Sequence, residues 1–215
     1  MKMHVSIVYF VFLISIVIGN AFFIPAFAVD SAALEHAQRG WTLYERGEYD
    51  KAIAEYKKAI EIDNDYADAH YILGYIYHLQ AAHKNEVMPR KLNTDFPVQN
   101  YKSKWEYGLE ELDLAMREFK EVIRIEPDAA DAHFKLGVVY DNKGEYEKAI
   151  SEYYKTIELD PQGPDGLDAR GNLALIYYAV YGKEDEAIRI LEELLKIDPN
   201  HPARGNLEKI QQGAW

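Results

Sequence analysis

Histidine and carboxylate are the side chains here with the means to do chemistry. The chain carries seven histidines and 36 aspartates and glutamates in 215 residues, with no cysteine. Without cysteine there is no thiolate nucleophile, no thiolate metal site, no disulfide and no c-type haem attachment. The nearest approach to a metal-ligand set is His78, His83 and Glu86. Side chains that share a helix face stand three or four residues apart, whereas these histidines stand five apart. A metal-binding or enzymatic protein using His78–Glu86 is therefore the weaker alternative, and no metal or cofactor is expected. Glu55, Glu61, Glu152 and Glu158 could pair as acid and base, but they recur in register with a longer repeat, as a solvated helix face does. His36, His70 and His133 share one position of that repeat and are expected to pack. No nucleophile–base pair, P-loop or dinucleotide fingerprint is present, so the chain is predicted not to be an enzyme.

The formal charge of −12 repels phosphate backbones, and no basic stripe offsets it. Nucleic acid is excluded as a partner. Residues 1–28 hold Lys2 as their one charged residue, an apolar run from Val5 to Ile18, and Ala26-Phe27-Ala28. This pattern predicts a secretory signal peptide cut after Ala28, with an uncleaved anchor as the alternative. Either way the remainder is expected outside the cytoplasm, in the periplasm or another extracytoplasmic space. With the segment cleaved, no membrane contact is expected.

The elements that must position these residues are written twice. GEYDKAIAEYKKAIEID at Gly47–Asp63 returns as GEYEKAISEYYKTIELD at Gly144–Asp160. Tyr49, Ile53, Tyr56 and Ile60 fall at helical spacing, with Ala52 and Ala59 beside them where a neighbouring helix can approach closely. Gly47 and Gly144 can end the helix before each copy, which makes each copy the second helix of a hairpin. The first helices match as well: Leu73-Gly74 with Tyr77, Leu136-Gly137 with Tyr140, Gly40 with Leu43, and Leu173-Ala174 with Tyr177.

These residues resemble the tetratricopeptide repeat, whose period is 34 and whose pattern is W-x2-L-G-x2-Y, A-x3-F, P. Ala52/Tyr56, Ala115/Phe119, Ala149/Tyr153 and Ala187/Leu191 fill A-x3-F, and Pro127, Pro161 and Pro199 close three units. The Trp slot departs from the pattern, holding His36, His70, His133 and Arg170. The copies begin 97 residues apart; two periods account for 68, and the remaining 29 form an insertion in the second unit. The resemblance covers residues 31–212 and implies an all-α, right-handed superhelical solenoid. Its repeats lie at about 33–66, 67–129 (interrupted near 83–107), 130–163 and 167–200, with a capping helix at 203–212. The first helix of the second unit should span about Ala67–Ala82, and the second could begin at Lys102, with Trp105, Leu109, Leu112 and Met116 on one side.

The resemblance further implies that the first helices line a concave face. Mapped onto this chain, that face holds Ala37, Trp41 and Tyr44; Tyr71, Tyr75 and His78; Phe134, Val138 and Asp141; Leu175 and Tyr178. Two readings stand: a groove for peptides or other proteins, or rings that pack on one another or on the insertion. A lysine- and asparagine-rich clamp for acidic chaperone tails is excluded, since Ala37 and Trp41 stand at its positions. The insertion, with Arg90, Lys91, Phe96, Tyr101 and Trp105, is either a second docking element or a solvated loop. The predicted function is a non-catalytic adaptor or scaffold in an extracytoplasmic complex. The alternative is a self-assembling structural subunit, in which Trp215 could take part.

Overall fold

A computed structural model describes residues 29–87 and 108–213, and every regular element in them is an α-helix. In chain order these are α1 (Ser31–Glu45), α2 (Tyr49–Ile62), α3 (Ala67–Val87), α4 (Leu109–Ile125), α5 (Ala130–Asn142), α6 (Tyr146–Leu159), α7 (Pro164–Ala179), α8 (Glu184–Ile197) and α9 (Arg204–Gln211). Helices α1/α2, α3/α4, α5/α6 and α7/α8 pack as hairpins, and each hairpin packs on the next, in a solenoid closed by α9 on α8. The predicted signal peptide and Trp215 lie outside the described residues. Among the described residues no helix is long and apolar enough to cross a membrane.

A small residue on the first helix facing a ring on the second sets how closely each hairpin closes. A Cβ on Gly40 would stand 2.9 Å from the Tyr56 ring, one on Gly74 3.2 Å from Phe119, and one on Gly137 2.8 Å from Tyr153. Hairpin four has Ala174 and Leu191 at these places, both fully buried. The narrower leucine leaves room for the alanine methyl. Ala52, Ala115, Ala149 and Ala187, all fully buried, line the same seams. Burying a side chain such as Phe119 stabilises the fold by about 1.5–3 kcal/mol.

The turns are cut by left-handed glycine. Gly47 (φ 73°) and Gly144 (φ 74°) end α1 and α5. Gly47 N–H bonds to Tyr44 O at 2.9 Å and Glu48 N–H to Leu43 O at 2.9 Å, the paired bonds of a Schellman cap. The second hairpin differs from expectation. Helix α3 continues past Ala82 to Val87, and α4 starts at Leu109 after the left-handed Gly108 (φ 77°); the start expected at Lys102 lies outside the described residues. Gly108 is also pressed on α3: a Cβ there would lie 2.8 Å from Ala81 Cα. Leu112 is fully buried, but Leu109 is 47% exposed.

The slot at which this chain departs from tryptophan is filled by a polar tie. Nδ1 of His36, His70 and His133 lies 2.8, 2.7 and 2.7 Å from a carboxylate oxygen of Glu55, Glu118 and Glu152 on the hairpin's second helix. This corrects the reading of Glu55 and Glu152 as solvated; their side chains are only 16% and 22% exposed. Lys58, His36 and Arg39 together hold the Glu55 carboxyl down to about 2. In hairpin four the glutamate slot holds buried Ile190, and Arg170 instead donates to the Pro161 and Gly166 carbonyls at 2.8 and 3.1 Å.

Gly137→Ala is expected to destabilise the protein by about 1–3 kcal/mol in urea unfolding, the range for overpacking. Combined with Tyr153→Leu it should show a favourable coupling of about 1 kcal/mol or more. Additive effects would disprove the steric link.

Candidate protein-binding groove

Beyond the hairpin contacts, α3 touches α5 and α5 touches α7, so these first helices stand side by side and present one continuous face. Helix α1 joins it through rings. Tyr44 meets Tyr75 edge-on with centroids 6.3 Å apart, and it also neighbours Trp41 at 5.3 Å and Tyr49 at 5.9 Å. Trp41, Tyr44 and Tyr75 are all half-buried. They form a ledge of three rings that support one another while part of each faces outward. Burial first, then the neighbouring Tyr75 and Tyr49, raises the Tyr44 pKa.

The ledge ends at a lysine. Lys135 Nζ lies 5.5 Å from the Tyr75 ring centroid and 5.4 Å from that of Phe134, cation–π range for both. Two carboxylates lie close by. Asp131 and Asp165 both act on Tyr71, whose pKa is raised chiefly by burial and then by these two charges. Asp165 is itself raised, by burial and then by Asp131, against the opposing pull of Lys135. The centre of the face therefore combines aromatic surface with one cation and two carboxylates. His78 closes the α3–α5 seam, accepting at Nε2 from Asn142 Nδ2–H at 2.9 Å.

Several predicted groove residues serve the fold instead. Phe134 is only 8% exposed, its ring 6.0 Å from Tyr153. Ala37 and Asp141 are buried as well. Tyr71 is half-buried, with its ring edge-on to Phe119 at 5.7 Å. In the second and third hairpins this slot brings its ring, Tyr71 or Phe134, against the second helix of the same hairpin. Tyr178 packs against the C-terminal core of Leu167, Leu173, Leu191 and Leu194, and not with the ledge. Val138 and Leu175 are half-buried on α5 and α7. Arg90, Lys91, Phe96, Tyr101 and Trp105 lie outside the described residues.

Sequence reasoning missed Tyr49, Lys135, Asp131 and Asp165. A signal was present for two of them: Asp131 and Lys135 are one helical turn apart, and Lys135 flanks Phe134. The recurring outer slots drew attention away from them. Among the described residues, no group of three or more His, Asp or Glu side chains is arranged to hold a metal ion.

Comparison with known proteins gives a consistent result. A family model described as TPR repeat matches residues 40–80, and two described as tetratricopeptide repeat match residues 106–164 and 169–201. Together they span more than half of the chain. The human protein O-mannosyl-transferase TMTC3 is 32% identical over 180 residues, which are 77% of this chain but 19% of that protein. The photosystem I assembly protein Ycf3 of Synechococcus sp. (strain CC9605) is 28% identical over 74 residues, 34% of this chain and 42% of that one. The chain thus spans about a fifth of the first relative and under half of the second. Among solved structures, MamA is similar with a TM-score of 0.59 and 26% identity, covering 78% of each chain.

Tyr71→Ala is expected to cost about 2 kcal/mol or more of stability through the lost contact with Phe119, whereas Trp41→Ala should cost under about 1 kcal/mol. Urea unfolding of the two variants checks this; equal losses would show the ledge to be core.

Proposed function

This chain belongs to the tetratricopeptide repeat family, and we propose that it is a non-catalytic adaptor that holds partner proteins on the face of its first helices. The observation that carries this reading is the Trp41–Tyr44–Tyr75 ledge, which keeps three large rings partly open beside the Lys135 ammonium. Rings of this kind dominate interface energetics because they bury large areas at little entropic cost. The supporting rings fix their orientation before binding, which lowers the ordering cost of association. One relative, Ycf3, is named for assembling a multi-subunit complex, which fits a chain that acts by holding others together. The transferase TMTC3 aligns over only a fifth of its length, so its activity is not carried over to this chain.

The place of action is the extracytoplasmic space. Support comes from the apolar Val5–Ile18 run followed by Ala26-Phe27-Ala28. The insertion serves as a second contact element, with its basic and aromatic residues set against an acidic body.

Cross-linking in native cells followed by affinity purification will identify the partner. The pair Trp41→Ala and Tyr75→Ala is then expected to weaken its binding by roughly 30-fold or more, since a hot-spot residue contributes about 2 kcal/mol or more. A parallel variant replaces residues 88–105 with a short Gly-Ser linker. Undiminished affinity in the ledge variant, with folding intact, would refute the ledge as the binding surface.

A further inference from the structure

We propose that His70 and His133 are protonation-dependent ties that hold the second and third hairpins closed while charged and loosen them as the pH rises. The geometry carries this. His70 has an oxygen at each ring nitrogen: Glu118 at 2.7 Å from Nδ1 and the Asn64 carbonyl at 3.2 Å from Nε2. His133 repeats the arrangement, with Glu152 at 2.7 Å from Nδ1 and the Pro127 carbonyl at 3.1 Å from Nε2. A neutral imidazole owns one N–H and can satisfy only one of two acceptors. The other nitrogen would then turn its lone pair on an oxygen. Only the imidazolium donates to both. Each ring is also buried, at 4% and 8% exposure, so water cannot replace the lost bond.

The charges facing each ring support the same state. His70 meets Glu118 and Glu121 from α4; burial opposes its charge, but the Glu118 and Asn64 bonds outweigh burial and leave the pKa raised. His133 meets Glu152 and the more weakly opposing Lys155 from α6. Its pKa is raised by the Glu152 bond against burial. A histidine with a raised folded-state pKa contributes stability that is complete below its unfolded value, about 6.5, and is lost as the pH rises through the folded value.

The other hairpins are tied differently. In the first, Arg39 shares the Glu55 carboxylate with His36, reaching it at 3.1 Å. In the fourth, Arg170 takes the slot and stays charged. The ring with an oxygen at each nitrogen is thus found in the middle of the array, where His70 precedes Tyr71 and His133 precedes Phe134.

The test is an NMR titration of the histidine rings in the whole chain, together with thermal unfolding from pH 6 to pH 8.5. Both rings are expected to titrate above about 6.5, and the melting temperature should fall by about 4 °C or more across the range. The pair His70→Gln and His133→Gln should lose at least half of that fall. In the pair Glu118→Gln and Glu152→Gln, which keeps the rings, both midpoints should move down. Midpoints at or below about 6.5 in the unaltered protein, or a pH profile parallel to that of the His→Gln pair, would overturn the proposal.

Discussion

Everything in this structure rests on how closely two antiparallel helices can approach when one offers no side chain and the other offers a ring. Gly40 against Tyr56, Gly74 against Phe119 and Gly137 against Tyr153 are three instances of one contact. With the ring lying over bare backbone, the alanine one turn before it, Ala52, Ala115 or Ala149, is fully buried as well. A hairpin built this way buries only one side. Its other apolar surface, with residues such as Ile53, Ile150 and Ile157, is covered when the next hairpin stacks on it. The solenoid follows from that unfinished burial.

The same close approach decides which rings are left for function. On the first helix, the slot three residues before the glycine looks across the seam, so Tyr71 and Phe134 are drawn onto Phe119 and Tyr153. The slot immediately after the glycine, one turn further on, is only half-buried. Trp41 and Tyr75 occupy that slot in the first two hairpins, and Tyr44 bridges them. In the third and fourth hairpins the slot holds Val138 and Leu175. The aromatic surface is therefore concentrated towards the N-terminal half of the face.

The hairpins, their order and the split second unit were legible in the sequence because glycine, alanine and the ring recur at fixed intervals, and few residues can substitute at a contact that tight. The groove was only partly legible. Tyr71 and Tyr75 stand one helical turn apart and so share a face of the helix, and spacing alone does not say which of the two rings is drawn onto the seam. The histidine–glutamate ties were written as a separation of 19 residues in His36/Glu55 and His133/Glu152, stretched to 48 in His70/Glu118 by the insertion. They went unread because a glutamate that recurs with a helical period looks like solvent-facing charge until its partner across the seam is known. The end of α3 at Val87 was marked in the sequence by Pro89, two residues on, but the short turn of the repeat pattern drew the expected end back to Ala82. Gly108 gave a sign in type but not in place, since it stands two residues further from its alanine than Gly47 or Gly144 does.

Gly108 also has an evolutionary consequence. Its backbone is seated on Ala81, so the returning chain is fastened to the helix it left before α4 begins. On the near side of that fastening α3 and α4 make the contacts of an ordinary hairpin. A repeat whose two helices are joined at such a point keeps its own packing when the sequence between them changes in length, which makes this joint a place where a lineage can change allegiance from one companion to another.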